Sequence, residues 1–321
     1  MSRNAASDSV ELASRVVNGD MRALARLLSV MENDAAAAQP ALDRLYPSCG
    51  HAHTIGLTGV PGAGKSSLVA LLAGSFRRKN QTVAIIAIDP SSPISGGAIL
   101  GDRIRMQELT ADPGVYIRSM AARGAQGGLS DATVDAIDVL DAAHFDRIIV
   151  ETLGVGQGEW DICSAVQSTV VVSAPGLGDT VQSIKAGIME TGDIHVVNKA
   201  DRPDANQTLM DIRTMLHLVS KDRGDWGVPV VGTCALSGDG VEELAAVLDR
   251  HRDYLITSGE RERRRRDSAE LRIWKELKRQ LLHRLQGQMD KERLDSAIAQ
   301  VAARTLSPQA ASLALLKQLG L

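Results

Sequence analysis

The residues with the clearest chemistry lie in a glycine-rich stretch, "GVPGAGKS", which follows a short apolar run. The stretch fits the pattern G-x-x-x-x-G-K-[ST] without a mismatch. In this pattern, backbone N–H groups at a helix N-terminus surround phosphate oxygens, and the glycines let the loop close tightly. We expect Lys65 to balance the charge of the β- and γ-phosphates and Ser66 to ligate Mg²⁺. The predicted nucleotide-binding residues of this loop are Gly59, Gly62, Ala63, Gly64, Lys65, Ser66 and Ser67.

A second motif, "NKAD", follows a β-branched run and predicts which base is bound. A carboxylate at Asp201 can accept hydrogen bonds from N1–H and the 2-amino group of guanine. Adenine offers no such pair, so it would leave the carboxylate without partners at a cost in binding energy. We expect Lys199 to cover the face of the base and Asn198 to brace the phosphate loop. The later string "GTCALSGDG" predicts a contact between guanine O6 and the backbone of Cys234, Ala235 and Leu236.

Three acids are candidates for holding the metal ion close to the phosphates. Glu151 ends the run "RIIVE", and Gly154 follows it with the acid-x-x-Gly spacing that small GTPases build on aspartate. We expect the Gly154 amide to face the γ-phosphate. Asp89 ends the run "AIIAID", and Asp102 lies in "GGAILGDRIRM". A cap or turn before Pro90 is the alternative role for Asp89, but acids that follow strands of such sheets favour the site. The predicted metal ligands are Ser66, Asp89, Asp102 and Glu151.

The elements that must position these residues follow from seven short apolar runs between Thr54 and about Leu255. They are almost continuously β-branched instead of alternating, which is typical of a parallel sheet covered on both faces. Longer stretches of helical periodicity separate them, so the fold class is α/β: a P-loop nucleotidase domain with a mostly parallel, doubly wound sheet. The runs cover 54–58, 82–88, 115–120, 147–151, 169–174, 194–198 and 229–233.

Helical segments flank this domain on both sides. Apolar residues at helical spacing from Ser9 to Asn33, interrupted at Asn18-Gly19-Asp20, predict two helices. After about residue 255 a charged segment carries an apolar stripe and two short helices follow, near 290–303 and 308–319. The stripe consists of Trp274, Leu277, Leu281 and Leu285. We therefore predict a helical extension over 1–48, a nucleotide-binding domain over 49–255 and a helical region over 256–321.

Composition excludes several other classes of function. The 321 residues carry a net charge of -3 and only 2% aromatic residues, which argues against a nucleic-acid surface. The arginine run 263–266 is flanked by glutamates and is interpreted as a solvated helix face. No apolar run approaches the roughly 18 residues that a membrane span needs. Three distant cysteines fit a reducing compartment, so we expect a cytoplasmic protein without nucleic-acid or membrane partners.

Taken together, the motifs resemble those of the MeaB/ArgK-type GTPases, which are G-protein chaperones of adenosylcobalamin-dependent acyl-CoA mutases. The strings that carry the resemblance are "GVPGAGKSS", "DPSSPISGGAILGDRIRM", "ETLGVGQGE", "PGLGDTVQSIKAGIME" and "NKAD". The resemblance covers nearly the whole chain, although Leu153 stands where valine is common and Cys234 where serine is common. It implies a G domain between an N-terminal helical piece and a C-terminal dimerisation arm, and therefore a homodimer.

The resemblance also implies roles that the residues alone do not. Asp89, Asp102 and Glu151 match acids around Mg²⁺ and the γ-phosphate. Segment 175–187 matches a mobile switch that meets the client mutase, and Gln182 and Lys185 match residues linked to activation by that client. No D-x-H-x-x-G string of the kind that ligates cobalt is present, so we expect adenosylcobalamin on the partner and only GTP or GDP and Mg²⁺ on this chain.

Four other interpretations are open to test. A nickel-type metallochaperone GTPase would need a metal relay, for which Cys49, His51 and His53 are the candidates, although a loop before the first strand is favoured there. An accessory kinase of amino-acid transport is an older label for such sequences, but no kinase catalytic-loop string is visible. A protein-targeting GTPase would want a methionine-rich groove, whereas the nine methionines are scattered. A scaffold with a decayed G domain is disfavoured by the intact Lys65, Ser66 and Asp201.

Overall fold

Seven parallel strands form one sheet in the order β3-β2-β4-β1-β5-β6-β7. The structure is a computed structural model that describes residues 3–89, 107–121, 131–152, 158–176, 191–219 and 225–318. The strands are β1 (His53–Gly59), β2 (Val83–Asp89), β3 (Val115–Ala121), β4 (Arg147–Glu151), β5 (Ser168–Ser173), β6 (Ile194–Val197) and β7 (Val230–Gly232). Every predicted strand is present, which confirms the parallel α/β fold.

Helices cover both faces of the sheet, as parallel strands require. In chain order the helices of the described residues are α1 (Arg3–Val17), α2 (Met21–Asn33), α3 (Ala35–Leu45), α4 (Lys65–Arg78), α5 (Asp131–Ala142), α6 (Gly158–Ala165), α7 (Ala205–Val219), α8 (Val241–Thr257), α9 (Glu260–Gln288), α10 (Lys291–Ala302) and α11 (Pro308–Gln318). Two 3₁₀ turns cover Tyr46–Ser48 and Gln107–Ala111.

Alternate residues of the strands feed hydrophobic cores on the two faces of the sheet, which form three clusters among the described residues. On one face, Leu57 and Val172 pack with α4 and α8, whose Leu72 and Leu248 are fully buried. On the other face, Ile86 and neighbouring strand residues pack with α5, α6 and the N-terminal helices. The central strands are buried on both faces, which explains why their sequences read as continuous apolar runs and not as alternating ones.

The N-terminal helices begin and end at recognisable residues. The Asp20 carboxylate caps α2 by accepting from the N–H groups of Arg22 and Ala23, so the predicted break at Asn18-Gly19-Asp20 is confirmed. Helix α3 was not separately predicted, because its alanine-rich sequence lacks a strong apolar stripe and contains Pro40. Asp34 caps it through the Ala37 N–H. Leu24, Leu28 and Met31, all on the predicted apolar side of α2, are buried in the core that this extension shares with the sheet.

The chain divides into two compact units, Met1–Glu262 and Arg263–Leu321. The second unit is helical and contains most of α9 together with α10 and α11, so the helices predicted after residue 255 are present. In this unit Trp274, Leu277 and Leu281 are between 44% and 57% exposed. Among the residues that the structure describes, no helix combines the length and apolar character that crossing a lipid bilayer requires.

Candidate nucleotide-binding site

The glycine-rich loop joins β1 to α4 at the carboxyl edge of the sheet. Gly59, Gly62 and Gly64 all have positive φ angles, of +130°, +78° and +88°. At Gly59 a side chain is also excluded by space, since a Cβ atom there would lie 2.0 Å from the carbonyl oxygen of Val172. Helix α4 begins at Lys65, immediately after the loop. The backbone geometry is that of a loop wrapped around the N-terminus of a helix, where anions bind.

The Lys65 side chain, at the start of α4, turns back onto the loop that precedes it. Its Nζ atom donates to the carbonyl oxygens of Gly59 at 2.9 Å and Val60 at 3.3 Å. The residue is 7% exposed. The ammonium group is therefore held at the mouth of the loop, where a phosphate oxygen can replace a carbonyl as its partner.

Ser66 and Glu151 meet directly, although 85 residues separate them. The Ser66 hydroxyl donates to the Glu151 Oε1 atom at 2.6 Å, and the two residues are 8% and 5% exposed. Register places them together, because Glu151 ends β4 opposite Leu57 of β1. A hydroxyl and a carboxylate oxygen at this spacing are hard donors of the kind that Mg²⁺ prefers, so the pair fits the predicted metal.

The other predicted metal and phosphate residues are described in part or not at all. Asp89 is the last residue of β2, on the strand that pairs with β4, and its side chain is outside what the structure describes. Asp102, Gly154, Gln182 and Lys185 lie outside the described residues. Of the predicted switch 175–187, only the first two residues are described.

Asn198 connects the phosphate loop to the loop that is predicted to recognise the base. Its Nδ2 atom donates to the Ala63 carbonyl at 2.7 Å. Its Oδ1 atom accepts from the Thr233 hydroxyl at 3.2 Å and from the Ala235 N–H at 3.1 Å. Asn198 is 1% exposed, so these bonds form away from water. Thr233 was missed by the sequence analysis, and its place beside "CAL" was the signal that could have found it.

Lys199 and Asp201 extend from the same turn. Lys199 has a φ of +60°, and its Nζ atom donates to the Gly62 carbonyl at 2.9 Å, so its stem runs from the base loop to the phosphate loop. Asp201 is exposed, and its Oδ1 atom accepts from the Cys234 thiol at 3.2 Å. Leu236, which follows on the "CAL" string, is 93% exposed. The Ala235 amide is already bonded to Asn198, so the contact with guanine O6 stays a prediction.

Helices α4 and α8, which follow the two loops, are joined by polar contacts that sequence analysis also missed. Glu242 in the first turn of α8 accepts from the Ser75 hydroxyl at 2.9 Å and pairs with Arg78. These hydrogen bonds, that with Arg78 foremost, lower the pKa of the Glu242 carboxyl. Further along, Asp249 of α8 accepts from Lys79 at 2.8 Å. The base-side helix and the phosphate-side helix are thus fixed to each other.

The Cys49, His51 and His53 side chains have separate environments. The Cys49 thiol donates to the Asp138 carbonyl at 3.2 Å. His51 is exposed, whereas His53 is the first residue of β1 and is 2% exposed, so the predicted loop ends one residue earlier than expected. Among the described residues no group of three or more metal-ligating side chains is present. The structure therefore provides no support for a relay built from these residues.

His53 belongs to a buried polar chain, Arg147–His53–Ser168–His251, at the amino ends of the strands. Arginine only donates, so Arg147 Nη1, at 2.5 Å, makes His53 Nδ1 an acceptor. The His53 Nε2–H then donates to Ser168 Oγ at 2.7 Å, and Ser168 donates to His251 Nδ1 at 2.7 Å. Burial, and next the charge of Arg147, holds the pKa of His53 well below its ordinary value. These four hydrogen-bonded residues are therefore part of the core, and the His53 side chain is neutral.

The arrangement can bind a nucleoside triphosphate, with its phosphates at α4 and its base near Asp201, and can place an oxygen-ligated cation beside Ser66. Comparison with known proteins agrees with this geometry. The protein-family model described as "Methylmalonyl Co-A mutase-associated GTPase MeaB" matches residues 24–290.

Two relatives match over almost their whole length. A protein of Pyrococcus abyssi whose name proposes it as a GTPase is 44% identical over 312 residues, which is 96% of each chain. The Escherichia coli GTPase ArgK is 32% identical over 308 residues, which is 93% of each chain. Among solved structures, one described as an LAO/AO transport system kinase has a TM-score of 0.73 at 24% identity and covers 100% of this chain and 99% of its own. The structural likeness shows the fold alone.

Proposed function

This chain belongs to the MeaB family of methylmalonyl-CoA mutase-associated GTPases, and we propose that it is a Mg²⁺-dependent chaperone of a partner acyl-CoA mutase. Its GTP state would gate adenosylcobalamin loading, protection and reactivation of that mutase, which is methylmalonyl-CoA mutase or a close relative. The observation that carries the nucleotide part is Asn198, which ties the base loop to the phosphate loop through Ala63 and Ala235.

The chain is a GTP-hydrolysing enzyme, and its chemistry rests on positioning and charge. Lys65 and the amides of the loop balance the negative charge of the phosphates. Ser66 and Glu151 would hold Mg²⁺, with Asp89 and Asp102 as further acids of the same site. The ion, when bound, neutralises charge on the β- and γ-phosphate oxygens. Asp201 selects guanine over adenine.

Slow hydrolysis by the isolated protein is part of the proposal. The residue after Gly154 is Val155, where a small GTPase places a glutamine that orients the attacking water. We infer that the partner completes the site by ordering 175–187, a segment that includes Gln182 and Lys185. Activation would then depend on the mutase, and GTP would be hydrolysed rapidly only in the complex with the mutase.

Adenosylcobalamin belongs to the partner in this proposal. The sequence contains no D-x-H-x-x-G string for cobalt ligation. The family description supports the association with methylmalonyl-CoA mutase, and the identity of the client is inferred from it. We further propose a cytoplasmic homodimer that uses neither nucleic acid nor membrane partners.

Steady-state GTP hydrolysis with and without a purified adenosylcobalamin-dependent acyl-CoA mutase tests the function. We expect slow turnover alone and a rise of at least about tenfold with the mutase, since a completed phosphoryl-transfer site is worth more than that. Glu151→Gln should lose the stimulated rate and retain GDP binding. Thr152→Val serves as a neighbouring control. It removes the hydroxyl that donates to the Leu57 carbonyl, but the backbone N–H of Thr152 donates to the same carbonyl and remains in the variant. Fast turnover by the isolated protein would contradict the proposal.

The homodimer is tested separately by light scattering. Trp274 and Leu281 of α9 are 57% and 51% exposed, which is costly for a helix that has no partner. We expect a dimer in solution and a monomer for Trp274→Glu combined with Leu281→Glu. Met210→Glu, at a 61% exposed position on α7, is the matched control and should remain dimeric. A wild-type monomer at all accessible concentrations would rule out the dimer and leave the GTPase assignment intact.

A further inference from the structure

Glu32, near the end of α2, joins the N-terminal helices to the outermost strand of the sheet. Its Oε2 atom accepts from Arg118 Nη2 at 2.7 Å, and its Oε1 atom accepts from the Ala121 backbone N–H at 3.4 Å. The Glu32 and Arg118 side chains are only 12% and 18% exposed. The Arg15–Asp20 pair of the same extension is far more exposed, at 49% and 32%.

The contact lies on an edge strand of the sheet. Strand β3 is at the edge of the sheet and pairs with β2 alone. An edge strand has no second neighbour to satisfy its backbone groups or fix its end. The Glu32 carboxylate supplies an acceptor at Ala121, the last residue of β3. Glu32, a side chain of the N-terminal extension, thus accepts the backbone hydrogen bond that a neighbouring strand would otherwise accept.

The end of β3 is in register with the end of β2. Ala121 pairs with Asp89, and two residues earlier on β2 Ala87 pairs with Glu151 of β4. The carboxyl ends of β3, β2 and β4 therefore form one edge, and Glu32 is attached to the outer end of it.

We propose that Glu32 is a positioning residue for the Mg²⁺ site. By fixing the end of β3 it fixes the β2–β3 pair and with it the backbone of Asp89. The N-terminal helices would then influence metal binding without touching the metal or the nucleotide. The inference rests on the proposed function in one respect, the role of Asp89 in holding Mg²⁺.

The variants must separate positioning from simple loss of stability. Glu32→Gln removes the charge that pairs with a largely buried guanidinium, and breaking such a pair by changing one partner is destabilising. Replacing both Glu32 and Arg118 by Met removes the pair without leaving a buried charge, and such replacements are often neutral. The double variant should unfold at nearly the wild-type temperature while lacking the acceptor for Ala121. Arg15→Gln is the matched control, since it removes an exposed ion pair of the same extension.

The first measurement needs neither nucleotide nor metal. Amide hydrogen exchange of the peptide that ends at Ala121 is compared in the nucleotide-free proteins. We expect exchange to be faster by about threefold to tenfold in Glu32→Gln and in the double Met variant, and unchanged in Arg15→Gln. Wild-type exchange in a folded double variant would show that Glu32 does not hold this strand end, which would overturn the inference.

The second measurement is the Mg²⁺ concentration that half-maximally slows release of a fluorescent GDP analogue. Both Glu32 variants should need about threefold to tenfold more Mg²⁺ than the wild type. Release in EDTA should be unchanged, because the contacts of Asn198 and Lys65 are intact. A shift in EDTA as well would mean that Glu32 acts on the whole fold and not on the Mg²⁺ site, and this result or an unchanged Mg²⁺ dependence would overturn the inference.

One further variant distinguishes failure of this inference from failure of the metal assignment. Asp89→Asn should raise the same Mg²⁺ requirement more than Glu32→Gln does. If Asp89→Asn shifts it and the Glu32 variants do not, the role of Glu32 is wrong and the proposed site stands. If neither shifts it, Asp89 is not part of the site and the proposed metal ligands must be revised.

Discussion

At the scale of single residues, Asp201 and Cys234 are linked by the hydrogen bond from the thiol to the carboxylate, at 3.2 Å. A thiol is a weak donor, so the carboxylate keeps most of its capacity to accept from guanine. The bond nevertheless orients the exposed side chain that we expect to select the base.

Replacing Asp201 by Asn should change the base that is bound. The amide of asparagine can donate to the 2-oxo group of xanthine but cannot accept from both donors of guanine. We expect GDP affinity to fall at least about 100-fold and xanthosine diphosphate to bind more tightly than GDP. Equilibrium titration with fluorescent analogues measures both. Asp204→Asn, an exposed neighbour, should behave as the wild type, and retained GDP selectivity in Asp201→Asn would show that another residue reads the base.

The roles predicted for individual motif residues rest on short strings of sequence. Lys65, Ser66 and Asp201 each sit in a run whose spacing alone defines a role. Thr233 and Glu242 were not predictable in this way, since their partners are Asn198 and, in α4, Ser75 and Arg78. Contacts between segments this far apart depend on how the helices are packed, which no local string records.

At the scale of elements, the loop between β1 and α4 depends on the close approach of β5. A side chain at Gly59 would have both an unfavourable φ and a contact of 2.0 Å with the Val172 carbonyl, whereas Gly62 has a positive φ and nothing within 4 Å. A side chain at Gly59 would thus meet both a steric clash and backbone strain, whereas a side chain at Gly62 would meet backbone strain alone.

We expect Gly59→Ala to lower the free energy of unfolding by about 3 kcal/mol or more, because overpacking against backbone adds to the strain. Gly62→Ala should lower it by only about 1 kcal/mol. Urea unfolding of the nucleotide-free proteins measures the difference. Equal losses in the two variants would mean that β5 moves away to accommodate the new methyl group.

Prediction from sequence was most successful for the elements with the simplest burial. The strand Arg147–Glu151 is buried on both faces of the sheet, and its β-branched run predicts this burial. Helix α3 begins with four successive alanines, which favour a helix, but it contains Pro40, which favours a break, and it shows no clear apolar periodicity. Its helical state is supported by packing against α1, α2 and α5, which is tertiary information.

At the scale of the whole molecule, the buried polar chain from Arg147 to His251 spans β4, β1, β5 and α8. Of these residues only Arg147 falls within a run that the sequence assigned to a strand, whereas His53 and Ser168 each precede a predicted run by one residue. Their burial is compensated by one another, as the short contacts show. Because of these buried hydrogen bonds, we expect the free energy of unfolding of the protein to depend on the protonation of His53.

Stability should fall as the pH drops below 6.5, the ordinary pKa of histidine. His53 has a depressed pKa in the fold, so below pH 6.5 the unfolded chain binds a proton that the folded chain does not. The resulting loss is at most about 1.4 kcal/mol per pH unit, and it ends once the pH falls through the folded pKa. The free energy of unfolding, measured by urea denaturation between pH 7 and 5, should depend less on pH for His53→Gln than for the wild type.

His217→Gln is the control for this measurement, since His217 is exposed on α7. Its pH dependence should match that of the wild type. If His53→Gln also matched the wild type, His53 would have to titrate normally in the folded protein, and the buried Arg147–His53 hydrogen bond would not form in solution.

The place of Asn198 has a consequence for how the ligand's two halves combine. GTP can be regarded as two fragments, a guanosine and a triphosphate, that are captured by different loops. Because one asparagine side chain fixes the separation of those loops before any ligand arrives, binding of the first fragment delivers the second at a high effective concentration. Guanosine and inorganic triphosphate together should therefore bind far more weakly than the intact nucleotide. A longer or shorter linkage between base and phosphate should forfeit most of that advantage.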